Sequence, residues 1–235
     1  MKRLITAAII ATITLMPLSA AAAVARTNAN SAAISRIQGL ANNEITRRIT
    51  TLNGLLTIIN AATHLSAADK TSLTTQINTE LANLPALKTK IDADTDLATL
   101  RTDVQSIYTE FRVYALLVPK VHLVRVADRL TDATAKLTVY ADLLQAKIDA
   151  ARASGKDVTA ETATMADMRS QIATSNSDAN SVDSTLVPLT PDQYNASPTI
   201  ISNLRVTLNA GRQATAKALQ DGSSVRNGLK SLGVI

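Results

Sequence analysis

The chain of 235 residues contains no cysteine, two histidines and five aromatic residues, and 46% of its residues are hydrophobic. Without cysteine it has neither disulfides nor thiolate metal sites, so apolar burial or assembly must stabilise it. The formal net charge of +5 is small for this length, and no basic patch with stacking aromatics repeats, which argues against nucleic-acid binding.

The first 25 residues have the three-part layout of a secretory signal peptide. Lys2 and Arg3 form a basic start, residues 4–18 are almost wholly apolar, and residues 19–25 are small. The apolar stretch is shorter than the roughly 20 residues that a membrane-spanning helix needs. We therefore expect cleavage after Ala25, export of residues 26–235 as a single elongated domain, and no integral membrane anchor after cleavage.

Helical periodicity dominates the rest of the chain. Apolar residues recur at alternating steps of three and four, the spacing that keeps one face of a helix against a partner. This predicts an all-α protein, an elongated antiparallel bundle of coiled-coil-like hairpins with five to six helices. The expected segments cover residues 30–60, 66–91, 97–114, 119–153, 165–186 and 201–232.

Several residues mark the expected helix ends. Ser66 is a predicted N-cap, and Gly155 is typical of the position just past a helix end. A break is predicted near Val118 and Pro119, because the residue before a proline is pushed out of helical geometry. Thr190 and Gln193 have the spacing of a capping box.

Small residues line the seam of the last helix, at Gly211, Thr215, Ala218 and Gly222. They indicate either close packing against the neighbouring helices or loose, mobile packing.

Four segments carry a family resemblance: residues 44–48 with 52–53, residues 91–103, residues 107–123 and the string LTPDQY at 189–194. In these segments the chain resembles secreted helical proteins of candidate-phylum (Patescibacteria-like) bacteria. The resemblance implies export and a helical fold, and it carries no catalytic or binding residues. Leu189, Thr190 and Gln193 also match the short L-T-x-x-Q pattern of periplasmic helical stress chaperones, a pattern that doubles as a capping box.

Catalytic patterns are missing from the sequence. Hydrolysis by a nucleophile or a metal needs clustered histidine, carboxylate or hydroxyl groups. His64 and His122 are far apart and belong to no such motif. We expect a protein that is not an enzyme and that uses no cofactor.

A weak calcium candidate starts at residue 92. Asp92, Asp94, Asp96 and Asp103 have the spacing of positions one, three, five and twelve of a calcium loop. Leu97, however, takes the sixth place, where the sharp turn requires glycine. The alternative is an acidic helix start capped by Asp94 or Thr95.

The segment from residue 108 to 129 holds three of the five aromatics together with several basic residues. One interpretation is a partner-binding surface for an anionic polymer or a partner helix; its candidate residues are Arg112, Lys120, His122 and Arg125. The other is a buried anchor where two helices turn. In that case Phe111 and Tyr114 face the interior while Lys120 and Arg125 reach water.

These observations predict a secreted, non-enzymatic scaffold or binding protein of the cell envelope, located in the periplasm or at the cell surface. Its expected partner is a protein or a cell-envelope component, and oligomerisation is left open. The alternative is a periplasmic chaperone-like or ligand-binding bundle. An open concave apolar face would favour that alternative.

Overall fold

A computed structural model describes the backbone of residues 18–235 and the side chains of residues 28–235. Residues 1–17, which hold most of the predicted signal peptide, lie outside the described residues. The backbone of residues 18–25 belongs to the first helix. No strand occurs in the described part, so the predicted all-α fold class is confirmed.

Seven α-helices and one π-helical turn make up the bundle over residues 18–235. Six of the helices are 13 residues or longer, in agreement with the number predicted. In chain order the elements are α1 (Leu18–Ala61), α2 (Ala67–Ala93), α3 (Leu97–Thr109), the π turn (Val113–Leu117), α4 (Val118–Ala153), α5 (Thr159–Leu186), α6 (Pro191–Ala196) and α7 (Ile200–Ser231). Among the described residues, no helix has the length and hydropathy that crossing a bilayer demands.

The apolar core falls into two clusters that share three long helices. In the first, α1, α2 and α3 pack on the π turn, the start of α4, the end of α5 and the start of α7. In the second, the remaining halves of α4, α5 and α7 pack on one another. At 1.5 Å per residue, the 36 residues of α4 span about 54 Å and connect the two clusters.

A polar layer separates the clusters. The Ser175 hydroxyl lies 2.7 Å from the Thr215 hydroxyl, and both Ser175 and Thr134 are buried. On either side, α7 approaches its neighbours closely. A Cβ at Gly211 would lie 3.1 Å from Asp178 Cβ, and one at Gly222 would lie 2.8 Å from a Tyr140 ring carbon. At these two glycines the small residues serve close packing.

The predicted caps at three helix ends are confirmed. Ser66 accepts a hydrogen bond from the Asp69 amide at the start of α2. Gly155 has φ of +77°, the left-handed conformation that ends α4. Thr190 and Gln193 form the complete capping box before α6.

The junction between α3 and α4 differs from the prediction. α3 ends at Thr109, and the π turn runs directly into α4, so the break precedes Pro119 by several residues. Pro119 has no N–H for the usual helical hydrogen bond to the carbonyl four residues back. In the π turn just before it, hydrogen bonds reach five residues back, as Leu117 does when it donates to the Arg112 carbonyl at 3.1 Å. The break and the extra residue in the turn shift the helical phase, which turns Tyr114 outward.

Candidate binding surface

Arg48 of α1 lies between two exposed tyrosines at the α3–α4 junction. Its guanidinium carbon is 4.9 Å from the centre of the Tyr108 ring and 5.1 Å from that of the Tyr114 ring. Glu44, one turn earlier in α1, forms an ion pair with it. The Arg48 side chain is buried, whereas each tyrosine is nearly half exposed. The two rings therefore cover a desolvated cation and present their other atoms to water.

A second cation–aromatic contact holds α6 against the same junction. The Arg112 guanidinium stacks over the Tyr194 ring at 5.6 Å, and its Nε donates to Asn195 Oδ1 at 2.6 Å. Asn195 in turn donates to the Thr109 carbonyl at 2.9 Å. Four of the five aromatics in the chain consequently lie at this junction, since Phe111 is buried beneath it.

An open groove of about 450 Å³ lies between the π turn, α4, α6 and α7. We call it the aromatic groove. None of the residues that line it is acidic; they are Tyr114, Ala115, Val118, Pro119, His122, Leu123, Tyr194, Pro198, Ile201, Ser202 and Arg205. The groove thus combines the rings of Tyr114 and Tyr194 with the guanidinium group of Arg205.

A smaller pocket of about 210 Å³ lies nearby on α4, against the loop between α1 and α2. We call it the arginine pocket. It is lined by Arg125 and Arg129 of α4 and by residues 61–65. His122, Arg125 and Arg129 follow one another at steps of three and four, so they share one face of α4.

The four predicted partner-binding residues do not form one surface. His122 lines the aromatic groove, Arg125 lines the arginine pocket, and Arg112 is occupied in holding α6. The expectation that Lys120 reaches water is wrong, because its side chain is completely buried. Tyr114 was expected to face the interior and is 46% exposed, whereas Phe111 is buried as predicted.

Lys120 is the centre of a polar cluster inside the first core. Its Nζ donates to the Leu189 carbonyl at 2.6 Å and to Gln76 Oε1 at 2.7 Å. Burial lowers the pKa of Lys120 to about 8, and the charge of nearby Glu80 opposes this shift. Burial raises the pKa of Glu80 to about 7, which the charge of Lys120 opposes. Both groups titrate near neutral pH because each is removed from water.

Three carboxylates converge at the same interface between α2, α4 and α5. Asp69, Asp128 and Asp183 each place one oxygen within 4.8 Å of the other two. Burial, followed by the charges of Asp128 and Asp69, raises the pKa of Asp183 to about 8. Asp128 Oδ2 accepts the Ser66 amide at 2.8 Å. Among the described residues this is the group of carboxylates whose spacing suits a cation. A proton shared by Asp183 and Asp128 relieves the same repulsion between carboxylates.

Three of the four aspartates of the calcium candidate have another role. Asp96 caps α3 by accepting from the amides of Ala98 and Thr99, so the cap is neither Asp94 nor Thr95. Asp92 accepts from Asn42 and Lys88, and Asp103 accepts from Lys90 at 2.7 Å. The structure does not bring these four together as a group of metal ligands in the part of the chain it describes.

Helical spacing already contained the signal for Lys120. Leu117 lies three residues before it and Val124 four residues after it, both in the buried stripe. The aspartate cluster had no such signal, because its members come from three helices that are distant in sequence. Searches with the chain found no matching protein-family model, no matching curated protein and no matching solved structure.

Proposed function

We propose that this chain is an exported, non-enzymatic binding protein of the cell envelope, and that it holds an envelope component on the face of α4 that carries the aromatic groove. Export is supported by the signal-peptide layout of residues 1–25. The resemblance to secreted helical proteins of candidate-phylum bacteria agrees with this reading. The partner is a protein or polymer of the envelope.

The observation that carries the proposal is the concentration of part-exposed aromatics at the junction that borders the aromatic groove. Only five aromatics occur in the chain, and Tyr108, Tyr114 and Tyr194 all border the junction with part of their rings uncovered. Tyr108 and Tyr114 are nearly half exposed, whereas Phe111 beside them is buried. Exposed tyrosines beside arginines are typical of recognition surfaces.

The chaperone-like alternative has weaker support. A chaperone groove would expose contiguous apolar surface. The large exposed apolar side chains of the described residues are spread over several elements, among them Leu40, Val139, Leu143, Val206 and Leu219. Val139 and Leu143 are the one pair in that set that lies four residues apart on the same helix. They belong to the half of α4 that packs in the second cluster, away from the aromatic groove.

Sedimentation with envelope fragments of the producing cells tests the proposal. We expect the wild-type protein to co-sediment and the double variant Tyr114→Ala/Tyr194→Ala to bind about tenfold more weakly, as for loss of a binding hot spot. Val139→Ala, an exposed position on the distal part of α4, is the control and should bind like the wild type. Equal binding of the double variant and the wild type would overturn the assignment of this surface.

A separate experiment tests export. The intact mass of the protein collected outside the cytoplasm should correspond to residues 26–235. A membrane-bound form that retains Met1 would contradict the exported reading.

A further inference from the structure

We propose that the arginine pocket binds a phosphate group carried on a polymer of the cell envelope. This inference rests on the proposed function, because it names the chemical group that the binding face of α4 would recognise. The pocket lies between α4 and residues 61–65, where α1 ends and the loop to α2 begins.

Two uncompensated cations line the pocket. Arg125 and Arg129 are four residues apart on α4, so their side chains are neighbours that repel each other. Among the described residues, no carboxylate lies within ion-pair distance of either guanidinium, and the close contacts of carboxylates there involve other side chains. An anion between the two arginines would turn this repulsion into attraction.

The carboxylates of the same stretch of α4 are already engaged. Asp132 Oδ2 lies 2.6 Å from His64 Nδ1, which fixes the imidazole at the pocket wall. Asp128 accepts the Ser66 amide and faces the carboxylate cluster. Neither aspartate contacts the two arginines directly. The N–H donors of both guanidinium groups therefore stay free for a ligand.

The number and geometry of the donors favour phosphate. A guanidinium presents a planar fork of N–H donors that fits two oxygens of one anion. Two such forks match the charge of a phosphate monoester dianion, whereas a carboxylate would balance one of them. A volume of about 210 Å³ accommodates a group of this size.

The neighbouring groove indicates that the phosphate belongs to a larger molecule. His122 lines the aromatic groove one helical turn before Arg125, so the two sites follow each other along the same face of α4. A free ion would occupy the arginine pocket alone. A polymer with its phosphate in the pocket would place adjoining units against His122 and the tyrosines.

Thermal unfolding with inorganic phosphate tests the pocket directly. Sodium phosphate is compared with sodium chloride at matched ionic strength, for the wild type and for Arg125→Gln/Arg129→Gln. The control Arg212→Gln/Arg226→Gln removes the same charge from exposed positions on α7. Each variant is compared with its own midpoint in chloride, so a change in basal stability does not affect the result.

We expect phosphate at ten times its Kd to raise the midpoint of the wild type and of the control by about 4 °C, and not that of the pocket variant. No phosphate effect in the wild type, or an equal effect in the pocket variant, would overturn the site. Long-chain polyphosphate at equal phosphate concentration should bind about tenfold more tightly than inorganic phosphate, since the groove adds contacts. Equal affinity for polyphosphate and inorganic phosphate would contradict a polymeric ligand.

Failure of this inference and failure of the proposed function give different results. If the protein sediments with envelope fragments but phosphate has no effect on its midpoint, the phosphate site is overturned and the envelope-binding function stands. A phosphate effect without envelope sedimentation overturns the envelope partner instead.

Discussion

Lys120 Nζ donates a hydrogen bond of 2.6 Å to the Leu189 carbonyl, so a charged side chain of α4 holds the segment after α5 from inside the bundle. The same amine reaches Gln76 of α2. One buried cation therefore adds polar links among three parts of the chain that the first apolar cluster also brings together. It also fixes the start of the segment that leads to α6, and thereby one wall of the aromatic groove.

Replacement of Lys120 should reveal this link. Lys120→Met keeps the length of the side chain but leaves a buried carbonyl and an amide oxygen without their donor, which we expect to cost about 2–4 kcal/mol of unfolding free energy. Denaturant unfolding measures the loss. Lys136→Met on the exposed face of α4 is the control and should cost less than about 0.5 kcal/mol. Equal effects of the two substitutions would mean that the buried contacts contribute nothing.

The pKa of Asp183 predicts a pH dependence of stability. Because burial and neighbouring carboxylates raise that pKa from 3.8 to about 8, the folded state holds its proton more tightly than the unfolded state. Asp183 therefore stabilises the fold most below about pH 4, and this contribution is lost as the pH rises towards 8. In Asp183→Asn we expect a flatter profile between these limits and greater stability than the wild type at pH 8.

The exposed Asp167 on the same helix provides the control for that experiment. Asp167→Asn should retain the slope of the wild type. Unfolding midpoints of both variants and the wild type are measured from pH 4 to 8. If the dependence of the midpoint on pH were unchanged in Asp183→Asn, the carboxylate cluster would not retain the proton.

The long helices and their apolar stripes are predictable from the sequence because both depend on local periodicity. The three-four rhythm is buried throughout both helices. In α4 its positions are Ala127, Leu130, Thr134, Leu137, Ala141, Leu144, Ile148 and Ala151, and in α5 they are Met165, Met168, Ile172, Ser175, Ala179, Val182 and Leu186. The phase after Thr109 was not recoverable in this way. The phase depends on where α3 ends and on the π turn, which adds a residue. A three-four spacing of apolar residues shows neither feature. Tyr114 consequently lies on a different face from the one that the rhythm predicts.

The buried cluster around Lys120 shows a second limit. Lysine is seldom buried without a partner, so the sequence alone favours a surface position for Lys120. Its partners are two carbonyls and an amide that come from α2 and from the segment after α5. Such contacts arise only when the helices pack, so periodicity could place the residue in the stripe but could not identify what satisfies it.

Arg48 and Arg47 form a matched pair in α1. The Arg48 side chain is 4% exposed and is covered by two tyrosine rings, whereas that of Arg47 is 77% exposed. Arg48→Lys keeps the charge but loses the planar stacking, so we expect a cost of about 1–2 kcal/mol. Arg47→Lys should change the unfolding free energy by less than about 0.5 kcal/mol. Chemical denaturation compares them, and equal costs would exclude a contribution from the tyrosine rings.

Two glycines in helices should respond in opposite directions to alanine. At Gly222 the new Cβ would lie 2.8 Å from Tyr140 Cε1 and 3.1 Å from Met168 Cε, so we expect Gly222→Ala to destabilise the protein by about 1–3 kcal/mol. At Gly54 no atom lies within 4 Å, and the better helix propensity of alanine should stabilise by about 0.5–1 kcal/mol. Calorimetric midpoints measure both, and a stabilising Gly222→Ala would indicate loose packing of α7.

Phe111 and Tyr114 separate stability from binding at one junction. Phe111 is buried, and its truncation to alanine in a packed site should cost about 3–5 kcal/mol. Tyr114 is 46% exposed, so Tyr114→Ala should cost about 1 kcal/mol, mainly through its contact with Arg48. Binding to envelope fragments should show the reverse order, because Tyr114 lines the aromatic groove and Phe111 is absent from its lining. Unfolding midpoints and sedimentation of both variants, with binding measured well below the lower midpoint, provide the comparison. If Phe111→Ala abolished binding with its midpoint unchanged while Tyr114→Ala bound normally, the binding surface would have to be reassigned to Phe111.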